Sequence, residues 1–169
     1  MSAAHQRRLE SIKLSWIKGS PLAPPITLLV PAHNEEKSIC VALKNLLDLD
    51  YPELEIIAVN DGSVDGTLAE MQREFLLRPV RAVYIPQAVS APVRGLYRSD
   101  VDSRLLVVDK ESGGSKADAV NAGLNAATSP YVCVVDADSV LECDALLRIM
   151  YPCWLTRSAW WAWVELSAF

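Results

Sequence analysis

Four short stretches hold the residues best suited to chemistry: Pro31-Ala-His-Asn-Glu-Glu36, Asn60-Asp-Gly-Ser-Val-Asp-Gly-Thr67, Asp109-Lys-Glu-Ser-Gly-Gly-Ser-Lys-Ala-Asp118 and Asp136-Ala-Asp138. The last places carboxylates at i and i+2, which can present oxygen ligands to a hard divalent cation such as Mg2+ or Mn2+. Such a cation neutralises the phosphates of a nucleotide. Asp61 can accept hydrogen bonds from a base or a ribose. Lys116, at a predicted helix start behind two glycines, offers positive charge to a sugar or phosphate. Each feature also has a plainer reading. Asn-Asp-Gly-Ser is a common turn, His33 can fill space, and Glu35 suits the dipole of a first helical turn. Lys116 can be a solvated helix-start lysine and Asp118 a cap.

The elements around these stretches supply the reason to read them together. Short apolar runs at residues 26–30, 55–59, 105–108 and 131–135 predict strands. Each is followed by a polar turn and a stretch of helical spacing, at 35–47, 65–77, 116–127 and from about 142. Strands this uniformly apolar are covered on both faces, as in parallel sheets. The alternation predicts right-handed crossovers and a doubly wound α/β fold, whose ligands bind outside the carboxyl ends of the strands. All four polar stretches fall at those ends. Residues 78–104, with Pro79, Pro86, Pro92 and Gly95, break the rhythm and read as a long irregular excursion. Residues 1–25 read as a short helix with a Pro-rich lead-in.

Composition sets the outer bounds. The 169 residues suffice for one domain with a real core, and 51% are hydrophobic, which argues against a disordered chain. A net charge of −5 disfavours a nucleic-acid binder. Cys40, Cys133, Cys143 and Cys153 form no Cys-x-x-Cys pair, so neither a zinc site nor a disulfide framework is expected. The N-terminus lacks the apolar core of a secretory signal, and no long uninterrupted apolar window predicts a transmembrane helix. A Gly-x-Gly-x-x-Gly turn after the first strand is missing, and so is a Gly-x-x-x-x-Gly-Lys-Ser/Thr loop. Both absences disfavour a nicotinamide dehydrogenase and a P-loop hydrolase.

The motifs Pro31-Ala-His-Asn-Glu-Glu36, Val59-Asn-Asp-Gly-Ser-Val-Asp-Gly-Thr67, Gly113-Gly-Ser-Lys-Ala-Asp-Ala-Val-Asn-Ala-Gly123 and Val134-Val-Asp-Ala-Asp138 resemble, in order, those of family 2 inverting glycosyltransferases. The flavour is that of the processive cellulose, hyaluronan and poly-N-acetylglucosamine synthases. The resemblance covers about residues 25–150. It implies a Rossmann-like GT-A fold with a mostly parallel sheet, incomplete at its C-terminus, a UDP-sugar donor, a glycan acceptor and a divalent metal, Mg2+ or Mn2+. By resemblance, Ala32, His33, Glu35 and Asp61 hold the uridine, and Lys116 faces the diphosphate or donor sugar. Asp136 and Asp138 form the Asp-x-Asp pair, with Asp138 favoured for direct metal contact and Asp136 also near the donor.

Three positions depart from the family pattern. His33 stands where Tyr is common, Asn60 where many members carry Asp, and Ser115 is one residue more than the commoner spacing before Lys116. The family's downstream general base and Gln-x-x-Arg-Trp motif are not in the chain, so no catalytic base is expected among these residues. The organisation expected is a lead-in at 1–25, a donor-binding half-domain at 26–150 and a Trp-rich tail at 151–169 that does not resemble the family, as in a truncated or frameshifted product. The functional expectation is a donor-binding domain of a UDP-sugar glycosyltransferase, with an inactive remnant or nucleotide-binding module as the alternative. Its expected location is the cytoplasm, or the cytoplasmic face of the membrane in the full-length family.

Overall fold

The computed structural model describes residues 23–156 and 164–166. The predicted N-terminal helix and most of the Trp-rich tail therefore lie outside the described residues. The elements run β1 (Ile26–Ala32), α1 (Ile39–Leu47), β2 (Leu54–Asp61), α2 (Thr67–Glu74), β3 (Leu77–Pro79), β4 (Val93–Ser99), β5 (Leu105–Lys110), α3 (Lys116–Leu124), β6 (Tyr131–Val135), α4 (Ala145–Thr156) and β7 (Val164–Leu166). The strands form one seven-stranded sheet in the order β3-β4-β5-β2-β1-β6-β7. β5, β2, β1, β6 and β7 pair in parallel, and β3 and β4 extend the sheet antiparallel at one edge. The expected mostly parallel α/β sheet is therefore present.

Side chains alternate across a strand, so a continuous apolar run feeds both faces of a sheet. Leu28, Val30, Ile56, Ala58, Leu105, Val107, Cys133 and Val135 pack on one face with Leu43 and Leu46 of α1, Met71 of α2 and Leu146 and Met150 of α4. Leu29, Ile57, Val59, Leu106, Val108 and Val134 pack on the other with Ala119 and Ala122 of α3 and Ala126 just beyond it. The small residues of α3 let that helix lie close to the sheet. Burial pushes the Cys133 thiol up to about 11, so it serves as an apolar core residue.

Two expectations need correction. Residues 78–104 are not one irregular excursion, because β3 and β4 lie within or at the edge of that stretch. Pro79 ends an edge strand and Pro92 precedes β4, positions where a missing amide donor is tolerated. Gly95 sits where the β4–β5 register shifts. The second helix also stops before residue 77. Leu76 takes a left-handed φ of 49°, which reverses the chain so that Leu77 starts β3. A branched residue strains this conformation, and Leu76 is exposed, so its side chain adds little packing. Leu76→Gly is expected to raise stability by about 0.5–1 kcal/mol, read as a higher urea midpoint at unchanged slope.

Candidate functional site

The parallel register sets the site. Ala32 lies opposite Asn60, Asn60 opposite Asp109, and Asp61 opposite Lys110. β2 and β5 run two residues further than apolar patterning implies, so these polar residues complete the sheet rather than leave it. The Asn60 and Asp61 side chains point to opposite faces. On one face, Asn60 Nδ2 donates to Asp109 Oδ1 at 2.7 Å, with both residues buried.

On the other face, Lys110 is wholly buried. Its Nζ lies 2.5 Å from Asp61 Oδ1, 2.5 Å from Asp118 Oδ2 and 2.6 Å from the Glu111 carbonyl. The ammonium donates hydrogen bonds to Asp61 and to the Glu111 carbonyl, and it forms an ion pair with Asp118. Burial pushes the Lys110 pKa down, but the hydrogen bonds to Asp118 and Asp61 outweigh it and hold the group above its ordinary value. The same hydrogen bond from Lys110 holds Asp118 below the usual carboxylate range.

Asp61 Oδ1 also accepts from the Gly113 amide at 3.1 Å, whereas no described residue donates to Oδ2. Glycine is required on both sides of this contact. Gly62 takes a φ of 60°, and a Cβ there would meet the Ser112 amide nitrogen at 2.5 Å. A Cβ on Gly113 would lie 2.1 Å from Asp118 Cγ.

The turns after β1 and β2 are laced together. The Asp61 carbonyl, 2.7 Å from His33 Nδ1, can only accept, so Nδ1 carries the proton. Nε2 then accepts from Asn34 Nδ2 at 3.2 Å. His33 is exposed with both ring nitrogens occupied. Asn34, at a φ of 59°, accepts from the Val64 amide, and its own amide donates to Ser63 Oγ. The Glu35 carboxylate accepts from Ser38 Oγ at 2.5 Å and its amide donates to Thr67 Oγ1. Glu36 and Gly66 extend the lacing.

The turn after β5 ends in a capped helix. Ser115 Oγ accepts from the Asp118 amide at 3.2 Å, so the extra residue before Lys116 is the N-cap of α3. Asp118 is not itself the cap, since its carboxylate faces Lys110 and the Ala91 amide. Lys116 Nζ lies 2.6 Å from Asp136 Oδ1, with both side chains well exposed to solvent. Asp138 is exposed, and no described residue engages its carboxylate. The adjacent Ser139 hydroxyl is buried and has no hydrogen-bond partner among the described residues.

Every sequence-predicted site residue thus sits at or just beyond the carboxyl ends of four parallel strands, β1, β2, β5 and β6. Lys116 and Asp136 are brought into contact. His33 adjoins Asp61, and Glu35 supports its own turn. Among the described residues no three His, Cys, Asp or Glu side chains gather as a metal cluster. Two neighbouring carboxylates, one of them unengaged, fit a cation that takes its remaining ligands from water and phosphate. No helix among the described residues is long and apolar enough to cross a membrane.

Apolar patterning missed Lys110 and Asp109. The signal was the complementarity of the pairs after two neighbouring strands: Asn-Asp after Val59 and Asp-Lys after Val108.

Comparison with known proteins agrees with this architecture. The sequence profile described as Glycosyl transferase family 2 matches residues 27–152. A poly-beta-1,6-N-acetyl-D-glucosamine synthase of Staphylococcus epidermidis is 34% identical over 120 residues, 71% of this chain and 23% of that protein. The chain therefore spans about a quarter of the length of the curated relatives it matches. Among solved structures, the mannosyltransferase PcManGT from Pyrobaculum calidifontis, in complex with GDP-Man and Mn2+, aligns with a TM-score of 0.59 and 26% identity. That alignment covers 90% of this chain and 41% of the other. TarS of S. aureus shares the fold at a TM-score of 0.50 and 23% identity, over 74% of this chain and 31% of the other.

Proposed function

Since the chain belongs to glycosyl transferase family 2, we propose that residues 26–150 are the donor-binding half of a GT-A glycosyltransferase, taking a UDP-sugar with a divalent cation. The observation that carries this is the meeting, at one sheet edge, of Asp61 with an unengaged carboxylate oxygen, the Lys116–Asp136 pair and the unengaged Asp138.

The residues take distinct roles in this reading. Asp61 Oδ2 accepts the imide N–H of uracil. The edge nitrogens of His33 are occupied by Asp61 and Asn34, so the ring offers its faces to the base, the contact a Tyr makes by stacking. Ala32 and the Glu35 turn form the floor beside it. Lys116 exchanges Asp136 for a phosphate or sugar oxygen, which its solvent exposure allows. Asp136 and Asp138 hold Mg2+ or Mn2+, which supplies positive charge to stabilise a departing diphosphate. In the complete family an acceptor hydroxyl of a glycan attacks the anomeric carbon with inversion, assisted by a base not found among residues 26–150.

Calorimetric titration with UDP tests the reading. Binding is expected in the presence of Mn2+, weaker by about tenfold or more without it, on the scale of a lost charge-assisted contact. Asp138→Ala is expected to bind UDP equally with and without the metal. Equal UDP binding by the wild-type chain with and without Mn2+ would remove the cation from the site. No binding in either condition would remove the nucleotide.

A further inference from the structure

Among the polar groups at the strand ends, Lys110 has no place in the donor contacts described above. It is wholly buried, hydrogen-bonded to Asp61 and the Glu111 carbonyl and paired with Asp118, so it is not presented to a ligand. What it can do is fix its neighbours. Asp118 is immobilised from the other side, because its Oδ1 accepts from the Ala91 amide at 2.9 Å and its own amide is capped by Ser115. The 84–91 segment that supplies this amide is itself tied to α3. Asn121 Nδ2 donates to the Val89 carbonyl, and Asn125 just beyond the helix bonds the Gln87 and Ala88 amides. Lys110 therefore sits on a rigid anchor and clamps Asp61 Oδ1 from one direction while the Gly113 amide clamps it from another.

Two donors on Oδ1 fix the carboxylate plane. An ionised carboxylate is an acceptor only. The remaining oxygen, Oδ2, is then held to accept a ligand N–H and to reject a ligand that lacks one. We propose that Lys110 is a positioning residue for nucleobase recognition, holding the Asp61 carboxylate oriented toward an imide N–H. This rests on the donor-site reading above and adds to it the residue that sets base selectivity.

The experiment compares UDP with 3-methyl-UDP, in which the imide proton is replaced by a methyl group. Lys110→Gln alone leaves two carboxylates facing each other and is unsuited to the test. Lys110→Gln with Asp118→Asn removes one positive and one negative charge together, so the cluster keeps its net charge and the fold is retained.

The wild-type chain is expected to prefer UDP by roughly 10- to 100-fold, the scale of one hydrogen bond to a charged group. The double variant is expected to bind the two nucleotides within about threefold, with its affinity for 3-methyl-UDP unchanged. Asp118→Asn alone keeps Lys110 on Asp61 and is expected to keep the preference. A general loosening of the site would lower both affinities, which separates positioning from support. A double variant that discriminates like the wild type would overturn the role of Lys110 while leaving the donor site standing. Loss of the preference in Asp118→Asn alone would overturn it too. A wild-type chain that binds neither nucleotide would overturn the donor site and this inference together.

Discussion

Lys110→Met is expected to destabilise the fold by about 3–5 kcal/mol, the cost of removing one partner from a buried ion cluster. The methionine keeps the stem of the lysine, so little of the loss comes from packing. What changes is charge, since Asp61 and Asp118 are left without the cation between them. Without the lysine, burial is the largest remaining influence on Asp118 and raises its pKa, so the variant gains stability relative to the wild type as pH falls. The wild-type chain behaves in the opposite sense. Asp118 is held low, so its contribution is complete above the unfolded carboxylate value of about 3.9 and is lost as pH falls through the folded value. Lys110 is held high, so its contribution is complete below the unfolded value of about 10.4 and is lost as pH rises through the folded one. Urea titrations at pH 7 and pH 5 should show the gap between variant and wild type narrowing at the lower pH. An unchanged gap would mean that the loss is one of packing.

The second large effect concerns the other face of the sheet. The family resemblance leads one to expect a carboxylate at position 60, and Asp109 explains the amide found there. The two side chains are buried and joined at 2.7 Å, so Asn60→Asp places a second carboxylate against the first. The expected loss is roughly 3 kcal/mol, the scale of burying an unpaired charge. Exchanging the two residues, Asn60→Asp with Asp109→Asn, restores one donor and one acceptor across the same register and should recover most of it. Additive losses in the double variant, read from urea midpoints, would show that the pair does not act as a unit.

Much of this was legible before the structure. Strands from Leu28 to Val135 announce themselves because apolar runs covered on two faces leave few other solutions. The polar residues that follow them could only collect at one edge. The antiparallel corner was harder to see. Pro79, Pro92 and Gly95 are strand breakers in the interior of a sheet, and only the edge location of β3 and the register shift in β4 make them compatible with strands. Lys110 was hidden for a related reason. Hydropathy ends a strand at the first charged residue, whereas backbone pairing with Asp61 carries β5 through Asp109 and Lys110. The roles of Ser115 as a cap and of His33 as a tie between two turns depend on hydrogen bonds that sequence spacing does not encode.

The central claim is that one nucleotide site is built by the carboxyl ends of β1, β2, β5 and β6. Amide NMR spectra of the 15N-labelled chain, recorded as UDP is added in the presence of Mg2+, test it most directly. Shifts concentrated on Ala32 to Glu35, Asp61 to Gly62, Gly113 to Lys116 and Asp136 to Ser139, with the strand starts unmoved, are the predicted result. Shifts elsewhere on the surface, or none at saturating nucleotide, would contradict it.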